Sequence, residues 1–275
     1  HPPFGHNGEK ALNIAMQDHG GFNHNDQTLR VLTHIEKRHP DFNGLNLTWE
    51  SLEGIVKHNG IILNNAPFHT NIYNDNHNLS LTKQPFLESQ IAAISDDVAY
   101  NNHDVEDAIR AGLLSIDQLK ENDFFKNIII QLKKEYKTID DKPLMFQVLR
   151  MSMSMMIEDI YKQTTQNILD LNIKTREDVQ KNDNFIVSFS SLMSSKSKDI
   201  KLFLFNNVYN HQNLLAKRQN VEKIISNIFK YFYTSPNKLP NDWQNINEPI
   251  ERIICDYISG MTDRYASRLH KDLYE

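Results

Sequence analysis

"LESQIAAISDDVAYNNHDVEDAIRAG", residues 87–112, decides the fold class. Leu87, Ile91, Ile94, Val98, Val105 and Ile109 recur at steps of three, four and seven residues, the repeat of one face of an α-helix. A half-buried strand would need every second residue to be apolar, and this stretch has no such alternation. Gly112 supplies a stop, because glycine takes the left-handed conformation that closes a helix. The spacing therefore predicts one long helix. "QVLRMSMSMMIEDIYKQTTQNIL", residues 147–169, repeats the pattern through Leu149, Met153, Met156 and Ile160. Methionines at this spacing read as core residues and not as cofactor ligands.

Working outward, helical periodicity also covers 25–39, 48–60, 122–136, 198–234 and 247–274. Thr48, with Glu50 and Ser51 behind it, marks a helix start, and Asn59 with Gly60 marks an end. Loops are expected at 39–47, 63–86 and 234–247, where Asn, Pro and Gly punctuate the chain. None of the three has the long Gly/Ser or single-charge run of a flexible linker. The expected fold is all-α, with one helical domain over 1–233 and a C-terminal helical extension over 234–275.

Composition narrows the function classes. At 275 residues, with 39% apolar and 24% charged side chains, the chain can bury a substantial core. A formal charge of −5 argues against coating a nucleic acid, which needs a net basic surface. No run of about 18 apolar residues could span a bilayer, so no membrane partner is expected. The single cysteine, Cys255, excludes an internal disulfide framework and suits a reducing compartment, so cytoplasm is the expected location.

Three groups of residues carry chemistry. Four of the twelve histidines, His1, His6, His19 and His24, lie in the first 24 residues together with Glu9. The turn Pro2, Pro3, Phe4, Gly5 fixes the backbone between His1 and His6, so both imidazoles can be held toward one pocket. Glu9 follows His6 at helical spacing and can orient it. In "DDVAYNNHD", Asp96, Tyr100 and Asp104 stand four residues apart and line one helix face, with a drift of about 40° per step. That stripe is either a solvated acidic face or, next to the apolar stripe, a place for a metal ion, a cation or ligand hydroxyls. Lys201, Phe205 and Tyr209 share a face by the same rule, and Lys201 either snorkels to solvent or points at a phosphate.

Five ordered blocks, "HPPFGHNGE", "GGFNHNDQTLR", "LTWESLEGIVKHNG", "ISDDVAYNNHD" and "ISGMTDRYA", resemble the bacterial deoxyguanosine triphosphate triphosphohydrolase (dGTPase) family of the HD superfamily. The resemblance runs from residue 1 to about residue 270 and is weakest at 113–190 and 212–245. It implies an HD-type helical fold that hydrolyses a deoxynucleoside triphosphate to deoxynucleoside and inorganic triphosphate. It also implies a divalent metal ion such as Mg or Mn, with Asp96 as one ligand. A His-Asp pair and an upstream His, the other ligands, would precede His1, so the chain as written is expected to be N-terminally incomplete.

By the same resemblance His6 and Glu9 fall at the catalytic histidine and its carboxylate partner, and His1 and His24 where imidazoles approach phosphates. Tyr100 and Asp104 match residues that read the sugar. Lys201 matches a phosphate contact and Tyr209 one that packs on sugar or base, while Lys57 and Arg264 would be further phosphate contacts. A homo-oligomer is implied as well. Two other functions stay in view: a catalytically silent nucleotide-binding or assembly subunit, and an HD-type hydrolase of phosphodiesters.

Overall fold

The computed structural model describes residues 2–210, 212–244 and 246–274, with the backbone alone for 212–219. Thirteen α-helices follow one another among the described residues: α1 Gly5–Ala15, α2 His24–Arg30, α3 Trp49–Val56, α4 Phe68–His77, α5 Leu87–Arg110, α6 Ile116–Leu119, α7 Asp123–Glu135, α8 Asp141–Asp170, α9 Arg176–Gln180, α10 Ser191–Leu204, α11 Gln212–Thr234, α12 Ile250–Ser259 and α13 Asp263–Tyr274. No strand forms among them; one isolated bridge joins Lys37 to Gly44. The all-α expectation holds, and no helix is long and apolar enough to cross a membrane.

The chain groups into two compact units, His1–Val56 with Ile62–Thr82 and Leu215–Glu275, and Lys57–Ile61 with Lys83–Leu214. In the first unit Leu12, Met16, Ile225, Ile228, Ile254 and Cys255 form a core, and Leu29, Leu52, Val56 and Leu79 form a smaller one. In the second unit α5, α7, α8 and α10 enclose Val105, Phe125, Ile128, Leu144, Val148, Met156 and Ile200. The predicted apolar stripe of α5 accordingly contributes Val98 and Val105, and the helix ends where Gly112 turns left-handed at φ 69°. Met156 is fully buried, with Met153 and Ile160 packed against the same core, as the spacing predicted.

Helix α7 illustrates how a sequence start signal becomes stability. Asn122 is buried, and its Oδ1 accepts the N–H groups of Phe124 at 3.1 Å and Phe125 at 3.3 Å, two donors the first turn cannot satisfy internally. The cap therefore fixes the direction in which Phe125, Ile128 and Ile129 enter the core. Asn122→Ala is expected to lower unfolding free energy by about 1 kcal/mol in urea titration, and Asn122→Asp to retain most of it.

The expected loop at 63–86 is corrected: it holds α4. The sequence of α4 is rich in Asn, and its N-cap is Pro67, which offers no side-chain cap. Its start is held instead from another helix. The Asp26 carboxylate of α2 accepts the N–H of His69 at 3.0 Å, the N–H of Thr70 at 2.7 Å and the Thr70 hydroxyl at 2.8 Å. Such a cap, 43 residues away for His69, leaves no trace in local sequence. The predicted helix at 198–234 is likewise divided: α10 runs into a π-turn at Phe205–Tyr209 before α11 begins. A second π-turn, Val31–Ile35, ends the run that starts with α2.

Candidate functional site

The opening motif owes its shape to three backbone constraints. Gly5 N–H closes a turn on the Pro2 carbonyl at 3.1 Å, and both Phe4 and Gly5 take positive φ. Phe4 N–H donates to Asp263 Oδ1 of α13 at 2.8 Å, which ties the turn to the C-terminal helix. At Gly8 a Cβ would stand 1.8 Å from the Pro3 carbonyl oxygen, so no other residue lets α1 fold back on its own turn.

That arrangement sets His6 and Glu9 one helical turn apart on α1, with His24 arriving at the start of α2. His6 Nδ1 lies 3.1 Å from Glu9 Oε2, and His24 Nδ1 lies 2.8 Å from Glu9 Oε1. The same Oε1 accepts the His24 backbone N–H at 2.9 Å. The two imidazoles meet edge to face, 5.7 Å between centroids. Burial alone would raise the Glu9 pKa, but the hydrogen bonds from His24 and His6 outweigh it and hold the carboxyl below its ordinary value. An ionised Glu9 only accepts, so both Nδ1 atoms carry their proton and each Nε2 carries the lone pair. A side chain in that tautomer can take a proton at Nε2 while the carboxylate stabilises the cation that results.

These are also the one set of three possible metal-ligand side chains whose donor atoms converge among the described residues. Both Nδ1 atoms are already committed as donors to Glu9, so the trio fits a proton-handling cluster better than an ion cage. Asp96 is three-quarters exposed, and its Oδ2 has His58 Nε2 at 3.6 Å. A divalent ion needs more donors than these two. The described residues therefore do not compose a complete metal centre.

In the second unit, α5 and the segment α10 plus π-turn bring the other predicted residues together in two places. The Tyr209 hydroxyl donates to Asp104 Oδ2, and the Tyr100 and Tyr209 rings lie 6.3 Å apart. Burial, then Asp104 and Tyr100, push the Tyr209 pKa far up, so it remains a donor. Lys201 Nζ pairs with Asp97 Oδ1 at 2.8 Å. The π-turn makes both contacts available. Eight α-helical steps would carry Tyr209 about 80° round from Lys201, and the wider winding, about 4.4 residues per turn, takes back most of it.

The remaining candidates fall elsewhere. His1 lies outside the described residues. Lys57 is wholly enclosed, with Nζ donating to the Lys83 carbonyl at 2.9 Å, so its ammonium is turned inward. Arg264 is exposed on the first turn of α13, next to the Asp263 that holds Phe4. Beside His24 opens a cavity of about 310 Å³ lined by Pro2, Phe22, Gln27, Trp243 and Asp256. A larger cleft of about 690 Å³, over Phe68, His69, Tyr73 and Arg252, is lined by His19 of the N-terminal histidines but by none of the residues assigned a role by the resemblance. There burial, with the charges of Arg30, Arg252 and His34, lowers the His69 pKa to about 3, so that imidazole is neutral. Asp97, His58 and His69 had no sequence signal of their own; Asp97 could have been flagged only as the neighbour of Asp96.

Residues 187–272 match the phosphohydrolase-associated domain family. Over its whole length the chain is 39% identical to a deoxyguanosinetriphosphate triphosphohydrolase-like protein of Bartonella henselae, of which it covers 72%. Proteins of the same description from Brucella anthropi, 38% identical, and Bartonella quintana, 39% identical, are matched over all of this chain and 72% of their own.

Proposed function

From the premise that this chain belongs to the deoxyguanosinetriphosphate triphosphohydrolase-like family, a phosphohydrolase family, we propose that it hydrolyses a deoxynucleoside triphosphate to deoxynucleoside and inorganic triphosphate. The observation that carries the reading is the hydrogen-bonded trio His6, Glu9 and His24. Its Glu9 carboxylate keeps the proton of His6 on Nδ1, so Nε2 takes a proton from the attacking water or returns one to the leaving oxygen. His24, anchored twice on Glu9, contributes a second imidazole that donates to phosphate oxygens once its Nε2 has taken up a proton, and exposed Arg264 a further positive charge. Lys57, being enclosed, is left out of the phosphate contacts.

The sugar falls to Asp104, Tyr209 and Tyr100. Asp104 accepts from the Tyr209 hydroxyl in the structure and has a second oxygen to accept from a 3′-hydroxyl. The tyrosine rings supply the flat apolar surface a deoxyribose needs. When bound, a divalent ion would polarise the reacting phosphate and lower the pKa of water, and Asp96 would be one of the residues that hold it. A homo-oligomer belongs to the same proposal.

Tyr209→Phe is expected to raise KM for the dNTP about tenfold, the loss of one hydrogen bond to a carboxylate, with kcat changed by less than about threefold. Steady-state hydrolysis of dNTPs beside the matching ribonucleotides tests both claims. Equal rates for the two sugars would count against the reading. The incomplete donor set around Asp96 favours one second reading, a nucleotide-binding subunit without turnover. Saturable dNTP binding with no product at any metal concentration would establish it instead.

A further inference from the structure

Adjacent carboxylates on α5 have different partners, and the second of them has no role in the reading above. Asp97 lies seven residues before Asp104, so the two stand on one line of the helix, about 10 Å apart along the axis. Asp96, eight residues before Asp104, is turned about 80° off that line. From the line of Asp97 and Asp104 two polar bridges reach one face of the α10 and π-turn segment: Asp97 to Lys201 and Asp104 to Tyr209. Both side chains of the first bridge are open to water, Lys201 at 41% and Asp97 at 50% exposure. An ion pair so exposed adds little to stability, and a competing anion can displace it at small cost.

We infer that Asp97 is a positioning residue that docks the Lys201 ammonium in the unliganded protein and yields it to a phosphate of the substrate. The inference rests on the proposed hydrolysis of a deoxynucleoside triphosphate, with Lys201 at the phosphate contact that the family resemblance implies. Docking keeps the long side chain on the line of Asp104 and Tyr209 and stops it from wandering to the other carboxylates of α5. The same contact means that any phosphate must first replace a carboxylate on Lys201, and it must do so against the repulsion of Asp97 itself. Asp97 thus weakens ground-state binding while it fixes where the ammonium waits. A structural role predicts something different: loss of a load on the fold when Asp97 is changed, and no effect on anion affinity.

The test is calorimetric titration with inorganic triphosphate, in chelator, of the native chain and the variants Asp97→Asn, Asp97→Glu, Lys201→Gln and the Asp97→Asn, Lys201→Gln double variant. Removing the carboxylate abolishes the cost of breaking the pair, so Asp97→Asn is expected to bind up to about fivefold tighter. Asp97→Glu restores native affinity, and the melting temperature stays within about 1 °C of native in every variant. With Lys201 already Gln, the Asp97→Asn gain falls below about twofold, because the effect runs through the pair. Unchanged or weaker binding by Asp97→Asn, or a full gain without Lys201, overturns the inference while leaving the proposed reaction intact. Failure of the native chain to bind triphosphate at all removes the reading beneath it, and the inference with it.

Discussion

Glu9→Gln lowers dNTP hydrolysis by about 10² to 10⁴-fold, with the far-UV circular dichroism unchanged. The size of the effect follows from counting acceptors. Glu9 receives three hydrogen bonds, two on Oε1 from His24 and one on Oε2 from His6. Glutamine keeps one oxygen and replaces the other with an NH₂ donor. If its oxygen stays with His24, the NH₂ faces His6 Nδ1, and His6 must move its proton to Nε2 to accept. A His6 protonated at Nε2 cannot take a proton there, so the general base is lost although every heavy atom stays in place. If the amide flips, His24 loses its anchors instead. Steady-state kinetics of the variant, beside His6→Asn, checks this: the two single changes should cost about the same and the double change little more, because they disable one unit.

The same carboxylate gives a pH dependence whose sign is fixed. The folded-state pKa of Glu9 lies below its ordinary value of 4.5. Its contribution to stability is therefore fully present above that unfolded value and is lost as pH falls through the folded one. Glu9→Gln should lower the unfolding free energy in the neutral range, where that contribution is fully present, and flatten the acid limb below about pH 4.5.

Asp256→Ala destabilises the fold by about 3–5 kcal/mol in urea unfolding, the largest stability change expected of a polar substitution here. Asp256 on α12 is 4% exposed and faces Arg30 of α2, 8% exposed. Arg30 Nε and Nη2 both reach it, at 2.7 to 3.0 Å, and Nη2 also donates to Glu248. Gln27 Nε2 adds a further bond to Asp256 Oδ1 at 2.8 Å. Burial lowers the Arg30 pKa, but Asp256 and Glu248 more than offset that, so the guanidinium stays charged. Alanine at 256 leaves that charge in a nearly dry place with Glu248 alone, and a buried charge without its partner costs more than the pair contributed. Arg30→Met combined with Asp256→Leu, which removes both charges, should cost much less, and the difference separates desolvation from packing.

Much of this was legible from the chain. The apolar stripe of residues 87–112, the stop at Gly112 and the core methionines of α8 are local signals, and local signals survive into the structure. The one-turn spacing of His6 and Glu9 pointed to their contact. His24 is different: 15 residues from Glu9, it joins the trio through a loop whose course no periodicity encodes, and only the family resemblance suggested it. Helix α4 was hidden because its cap comes from Asp26, far off in sequence. The π-turn at Phe205–Tyr209 has no sequence signature, yet it puts Tyr209 on Asp104. Lys201 was flagged as a cation among apolar residues, but its partner Asp97 was unseen because pairing across helices depends on register and not on spacing. Lys57 shows the reverse case, a lysine whose surroundings turn it inward.

The most direct test of the central claim is phosphorus NMR of the products formed when this chain, a divalent metal ion and a deoxynucleoside triphosphate are incubated together. The expected spectrum holds the resonances of inorganic triphosphate, and chromatography of the same sample shows the phosphorus-free deoxynucleoside in equal amount. Pyrophosphate with a deoxynucleoside monophosphate, orthophosphate with a diphosphate, or an unconsumed substrate would contradict that claim.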